Sequence, residues 1–154
     1  MVKVKIGDFP QAEDIWNFIN YKLGYSYSYP KIHFCILKKH EWKKLLNSKN
    51  VQRLQQNNFE IEFWKNREWR NNADATYMRN DKNDYSIILL RHPKNIMSKS
   101  LKRKGLSILD YYHLRILHEF LHILELITKT QIIKDINGID LELFILWKSQ
   151  IKIV

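Results

Sequence analysis

The chain has 154 residues, with 26 Lys and Arg against 16 Asp and Glu, and a formal net charge of +10 at pH 7. Its 45% hydrophobic and 13% aromatic content excludes a disordered chain, which lacks the apolar area to offset its ordering entropy. No apolar run reaches the ~18 residues of a membrane span, and no apolar signal segment opens the chain. The single cysteine, Cys35, excludes an internal disulfide and a cysteine-built metal site. We expect one soluble, cytoplasmic domain over residues 1–154 that does not bind membranes.

The first two thirds of the chain contain short elements of both kinds. Apolar spacing predicts helices, and β-prone or alternating runs predict strands. In chain order these are a helix over 8–23, a strand over 32–37, a helix over 40–56, a strand over 59–64, and two strands over 75–78 and 85–90. A basic loop over 94–104 follows.

The last third is helical. Ser107, with Asp110 three residues later, forms a capping-box pattern that opens a helix running to about Lys129. This helix is apolar on nearly every side, which is typical of a buried helix. Asn137–Gly138 interrupts the chain, and 139–150 is predicted as a final helix with Leu143, Leu146 and Trp147 facing inward. Helices beside a small, mostly antiparallel sheet, without βαβ alternation, predict an α+β fold.

Charge is distributed unevenly between these two parts. Residues 1–104 hold 21 basic and 10 acidic residues, a net charge of +11, whereas residues 105–154 hold 5 and 6, a net charge of −1. The C-terminal part is therefore near neutral, and the basic surface belongs to the rest of the chain.

Within the apolar helix lies His118-Glu119-Phe120-Leu121-His122, an HExxH motif. Residues i and i+4 share one helix face, so two imidazoles there can converge on one Zn²⁺. Glu119 points beside that metal, where its carboxylate can accept a proton from water. The motif predicts one zinc ion per chain, held by His118 and His122, with Glu119 as the general base.

Chance and a structural role both compete with this interpretation. From the His and Glu content, HExxH arises at random in a chain of this length with a frequency of about 1%. In a purely structural interpretation, both histidines are hydrogen-bonded core residues and Glu119 pairs with Arg115, one turn earlier.

A third protein ligand has to come from an acid, because no histidine follows His122. Asp140 has a structural explanation as a helix cap, and Asp135 lies in a connecting loop. Glu125 shares the histidine face and is better placed to orient a ligand than to bind the metal. Glu142 lies within an apolar helix, and we favour it as the third ligand, the alternative being a solvated outward face.

The HExxH motif, followed by Glu142 on the next helix, resembles the gluzincin zinc metallopeptidases, in particular their soluble minimal members. The resemblance covers roughly residues 30–150 and is specific at the zinc motif. It implies a zincin-like fold, in which the sheet packs on the buried HExxH helix and the C-terminal helix carries the third ligand. It also implies that the strand over 85–90 is an edge strand that binds substrate backbone.

The chain departs from thermolysin-like enzymes in two ways. These enzymes carry an Asp one turn after the third ligand, where this chain has Leu146, and their transition-state stabilisers come from a C-terminal subdomain. Only twelve residues follow Glu142. Stabilising groups must then come from upstream or from a partner chain, and the upstream candidates are His92, Tyr111, Tyr112 and His113.

The resulting expectation is a zinc-dependent endopeptidase that hydrolyses peptide bonds in a peptide or protein substrate, through water bound to zinc and activated by Glu119. The alternative is a basic nucleic-acid-binding or interaction protein whose zinc site is structural or inactive. For the basic loop we expect either contacts to acidic substrates or weak contacts to nucleic acid phosphates. The residues concerned are Lys99, Lys102, Arg103 and Lys104.

Overall fold

The structure is a computed structural model that describes residues 2–3, 5–47, 51–56, 59–64, 73–80, 85–92, 103–133 and 138–151. The chain divides into two compact units. Residues 1–9 and 30–100 form the sheet unit, and residues 10–29 and 101–154 form the helical unit. The α+β class is confirmed, whereas the assignment of the whole chain to one domain stays a prediction.

Seven strands and four helices make up the described elements. The strands are β1 Val2–Lys3, β2 Lys5–Gly7, β3 Ile32–Leu37, β4 Val51–Gln56, β5 Phe59–Trp64, β6 Ala75–Asn80 and β7 Tyr85–Arg91. The helices are α1 Ala12–Leu23, α2 Lys39–Leu46, α3 Ile108–Thr128 and α4 Ile139–Ile151.

The strands of the sheet unit form two mixed sheets. One has the order β2-β3-β7-β6, with β3 and β7 parallel and the other two pairings antiparallel. The other has the order β1-β4-β5, with β1 and β4 parallel and β4 and β5 antiparallel. Three of the five described pairings are antiparallel, in line with the expected mostly antiparallel sheet.

The strand expected at an edge lies inside its sheet, and this corrects the prediction for residues 85–90. β7 pairs with β3 on one side and with β6 on the other. Ser86 to Leu90 are all buried, so both faces of the strand are covered. An unbroken apolar run such as Ile87–Leu90 is typical of a strand buried on both faces, whereas an exposed edge strand alternates.

The long helix predicted over 40–56 is also wrong. The helix α2 ends at Leu46, and 51–56 instead form β4, which pairs residue for residue with β5 from Val51↔Trp64 to Gln56↔Phe59. Leu54 fits a helical continuation of Trp42 and Leu45, but hydrogen bonding to β5 overrides that spacing.

One face of the four-stranded sheet is covered by α2. Trp42 and Leu45 pack with alternate residues of three strands, because side chains two apart on a strand share a face. The strand residues of this cluster are Cys35, Leu37, Met78, Ile87 and Leu89. Burial raises the pKa of the Cys35 thiol to about 12, so this cysteine is an inert core residue.

The helical unit is built around α3. From α1, the Trp16 ring meets Phe120 of α3 edge-on, with 5.3 Å between ring centroids, and its indole N–H donates to the Tyr27 carbonyl at 2.9 Å. From α4, the Trp147 indole N–H donates to Asp14 of α1 at 2.8 Å. The Trp147 ring also meets His113 of α3 edge-on, with 5.2 Å between ring centroids, so the helix that carries the HExxH motif packs against both α1 and α4. None of the described helices is long and apolar enough to cross a membrane.

The buried face of α4 consists of Leu143, Phe144 and Trp147. Leu146 had been expected to face inward with Leu143 and Trp147, but it is 41% exposed. At about 100° per residue, Leu146 lies about 100° from Trp147 and cannot share the face centred between Leu143 and Phe144.

Candidate metal centre

The start of α3 is fixed by the predicted capping box. The Ser107 hydroxyl accepts a hydrogen bond from the Asp110 backbone N–H, and the Asp110 carboxylate accepts one from the Ser107 N–H, each at 3.0 Å. Two N–H groups that no helical carbonyl can serve are thereby satisfied. The Lys148 ammonium of α4 donates to the same carboxylate at 2.6 Å, which ties the two helices together.

Most faces of α3 are buried, and its polar residues gather on a less buried one. Arg115, His118, His122 and Glu125 follow one another at spacings of three and four residues and are each partly exposed. We call these four residues the polar stripe. Because such spacings place residues on one helix face, both HExxH histidines lie on this partly exposed face.

The HExxH side chains lie close together. One ring nitrogen of each histidine and one carboxylate oxygen of Glu119 are within 4.8 Å of one another. The His118 and His122 rings are 4.8 Å apart between centroids, at an interplanar angle of 81°. Glu119 is 5% exposed, so its carboxylate belongs to the buried side of the group.

Each histidine of the group is hydrogen-bonded to a carboxylate. The His118 Nδ1 lies 2.9 Å from Asp140 Oδ2, across to α4, and the His122 Nδ1 lies 2.9 Å from Glu125 Oε1, on α3 itself. An ionised carboxylate only accepts hydrogen bonds, so both Nδ1 atoms carry the proton. When a ring is neutral, its lone pair is then on Nε2, the nitrogen that can bind a metal.

This donor set fits a zinc ion. Neutral imidazole nitrogens are common zinc ligands, and ligand histidines in proteins usually donate their other N–H to a carboxylate. The contact between Glu125 and His122 agrees with the expectation that Glu125 orients a ligand. In the part of the chain that the structure describes, His118, Glu119 and His122 are the one group of three or more candidate metal ligands.

The pKa values of His118 and Asp140 are both shifted by their contact. Burial alone lowers the pKa of His118, but the hydrogen bond to Asp140 and the negative charges of Glu119 and Asp140 outweigh it, so this pKa lies above its usual value. The hydrogen bond from His118 holds the pKa of Asp140 below its usual value, against the effect of burial. Both directions indicate one favourable pair, with Asp140 ionised.

The four acids considered as third ligand occupy different positions. Asp140 and Glu125 each contact a histidine Nδ1, and Asp135 lies outside the described residues. Glu142 is exposed on α4, about 200° around the helix axis from Asp140. Because Asp140 faces His118, Glu142 points away from that contact, and its assignment as third ligand stays a prediction.

The upstream candidates for transition-state stabilisation lie away from the stripe or beyond its end. Tyr112 and His113 are buried, and helix periodicity places them about 120° and 220° around α3 from His118. Tyr111 is buried roughly 10 Å along the axis from His118. His92 is exposed and belongs to the sheet unit. Their catalytic role stays a prediction.

Two of the four basic loop residues are described. Arg103 and Lys104 are exposed, which any contact with an anionic partner requires, while Lys99 and Lys102 lie outside the described residues.

The sequence does not indicate one contact of the candidate site. It explains Asp140 as a helix cap, and the Asp140 carboxylate does accept a hydrogen bond from the Leu141 N–H at 2.8 Å, but it also contacts the His118 ring. A carboxylate that follows the HExxH helix at the start of the next helix is the signal that could have identified it.

Comparisons of the sequence with protein-family models and curated proteins, and of the fold with solved structures, found no match.

Proposed function

We propose that the protein is a zinc-dependent endopeptidase of the gluzincin type. The observation that carries this proposal is the HExxH group itself, in which the Nδ1 of each imidazole contacts a carboxylate, and one carboxylate oxygen of Glu119 lies within 4.8 Å of one ring nitrogen of each histidine. Two core histidines need no such arrangement. A buried carboxylate beside two preorganised metal ligands is what metal-assisted hydrolysis requires.

His118 and His122 would hold the zinc through Nε2, and Glu142 is the carboxylate that the sequence favours as the third ligand. When bound, zinc polarises a substrate carbonyl and makes water a better nucleophile near neutral pH. The Glu119 carboxylate accepts a proton from the attacking water and passes it to the leaving amine. Burial of Glu119 keeps that carboxylate in a low dielectric, which strengthens its interactions.

The zincin-like fold and the cytoplasmic location belong to the same proposal. The α+β class and the placement of HExxH on a buried, capped helix support the fold. Because β7 lies between β3 and β6, it cannot be the edge strand that pairs with a substrate backbone. Other residues of the protein have to recognise the peptide.

A pair of measurements on the purified protein tests this function. We expect close to one zinc per chain and cleavage of an unstructured protein substrate. Glu119→Gln keeps the side-chain shape without the proton acceptor, so it should retain zinc and lower hydrolysis by ~10²–10⁴-fold. Glu13→Gln, an exposed change in the first turn of α1, is the matched control and should hydrolyse like the wild type. If the zinc-loaded wild type cleaves no substrate, the peptidase function is rejected and the binding function described below is favoured.

Weak, sequence-independent binding of nucleic acid is the second candidate function. The observation that favours it is a group of four exposed lysines on α2 and at its N-cap. These residues are Lys38, Lys39, Lys43 and Lys44. Phosphate contacts release counterions, so a titration with a random duplex should show micromolar binding that weakens several-fold as salt rises. Absence of binding at low salt would leave the charge as a solubility feature.

A further inference from the structure

The Glu125 carboxylate is shared between the candidate metal ligand and the chain that follows α3. Its Oε1 contacts the His122 Nδ1 at 2.9 Å, and its Oε2 accepts hydrogen bonds from the backbone N–H groups of Ile132 at 2.7 Å and Ile133 at 3.3 Å. Ile132 is only 6% exposed, and both of these hydrogen bonds are partly buried. Both carboxylate oxygens therefore have defined donors.

We propose that Glu125 is a positioning residue that fixes the tautomer of His122 and ties this ring to the turn at Ile132 and Ile133. Because both oxygens only accept, the ring must present Nδ1–H to Glu125 and keep its lone pair on Nε2. The two backbone N–H groups hold the carboxylate in that orientation. The use of this lone pair for zinc rests on the proposed function, whereas the tautomer itself does not.

Substitution by glutamine makes the two tasks of Glu125 incompatible. A glutamine has one accepting oxygen and one donating NH₂ group. If the oxygen stays with Ile132 and Ile133, the NH₂ group donates to His122, which must then carry its proton on Nε2. The alternative leaves the partly buried N–H groups of Ile132 and Ile133 facing an NH₂ group, which cannot accept their hydrogen bonds. The His122 ring can change tautomer, so we expect its proton to move from Nδ1 to Nε2.

Asp140 provides a matched comparison. Its Oδ2 contacts the His118 Nδ1, and its Oδ1 accepts from the Leu141 N–H, a hydrogen bond that is exposed. In Asp140→Asn, water can serve that N–H, and the amide oxygen remains available for His118. The same carboxylate-to-amide change should therefore keep the tautomer of His118 and switch that of His122.

The decisive measurement is the ¹⁵N spectrum of histidine-labelled, metal-free protein at about pH 8.5, where an imidazole is neutral. In the wild type we expect Nδ1–H at both His118 and His122. In Glu125→Gln, His122 should become Nε2–H, and in Asp140→Asn, His118 should remain Nδ1–H. An Nε2–H form of His122 in the wild type, or an unchanged Nδ1–H form in Glu125→Gln, would overturn the proposal.

The zinc affinities of two Glu125 variants give a second measurement. A purely structural role of Glu125 would not predict the same order of affinities. Glu125→Gln should weaken zinc binding by about 10–100-fold, and by more than Glu125→Ala, because glutamine blocks Nε2 whereas alanine only frees the ring. A larger loss in Glu125→Ala contradicts the tautomer role. If the tautomers are as expected but the wild type cleaves no peptide, the peptidase function fails and the role of Glu125 stands.

Discussion

Histidines on the polar stripe of α3 have a different environment from the histidine on the buried side of the same helix. His118 and His122 are about one quarter exposed, and each has a carboxylate 2.9 Å from Nδ1. His113, on another face, is 4% exposed and meets the Trp147 ring edge-on at 5.2 Å. Burial lowers the pKa of His113, only partly opposed by the charge of Asp110, whereas the pKa of His118 is raised.

This contrast shows that a histidine on an apolar helix is not in itself a sign of a metal site. His113 contributes ring packing to the core, as an aromatic residue does. Each stripe histidine has a carboxylate oxygen as hydrogen-bond partner of its Nδ1. Partial exposure beside a hydrogen-bonded carboxylate therefore marks His118 and His122 as candidate ligands, whereas burial marks His113 as a core residue.

The largest effect expected is on metal content. Removal of either stripe imidazole, in His118→Ala or His122→Ala, should abolish zinc binding, because a catalytic site depends on about three protein ligands. The folded His113→Ala variant should keep one zinc per chain. Metal analysis after dialysis compares the zinc content of these variants. A full zinc content in His118→Ala or His122→Ala would contradict the assignment of metal binding to the polar stripe.

A second pair of variants separates the two acids of α4. Asp140→Ala frees the His118 ring and should weaken zinc binding by about 10–100-fold. Glu142→Ala should weaken it more strongly if the sequence-based assignment of the third ligand is right. Competition with a zinc chelator measures both affinities. Full zinc affinity in Glu142→Ala would transfer the ligand role to Asp140, Asp135 or Glu125.

The buried face should dominate the folding stability of the metal-free protein. His113→Ala removes a fully packed ring and leaves a cavity beside Trp147, so we expect the free energy of unfolding to fall by about 2–3 kcal/mol. His122→Ala, at a side chain that is 27% exposed, should cost about 1 kcal/mol or less. Urea unfolding measures both, and equal losses would contradict the division into a packing face and a binding face.

The smallest effect expected is a pH dependence from His113. The unfolded chain protonates this residue near pH 6.5, whereas the folded chain does so only at lower pH, because burial lowers the pKa. The unfolded state then binds more protons, and stability should fall as the pH drops below about 6.5 toward the lowered value. His113→Phe keeps a ring against Trp147 and should flatten that fall. His33, whose pKa is also lowered, is present in both proteins and cancels. An unchanged slope in His113→Phe would place the titration elsewhere.

The strand predictions were right where the sequence pattern was strong and wrong where tertiary pairing decided. The strands β3 and β5 have the predicted bounds, and β7 extends one residue further. The prediction for 51–56 failed because Leu54 fitted a helical period, and only pairing with β5 makes this polar segment a strand. The two short N-terminal strands were not predicted, since two or three residues carry no periodicity.

The sequence by itself determined the local part of the candidate site. The 3.6-residue period of a capped helix fixes how His118, Glu119, His122 and Glu125 follow one another around its axis, and Ser107 and Asp110 fix where that helix begins. Only the tertiary structure decided that Asp140, 22 residues after His118, contacts its ring while Glu142 is exposed. That choice depends on the rotation of α4 about its own axis. Burial of Leu143, Phe144 and Trp147 sets this rotation, because their large apolar area outweighs the preferences of the acids beside them.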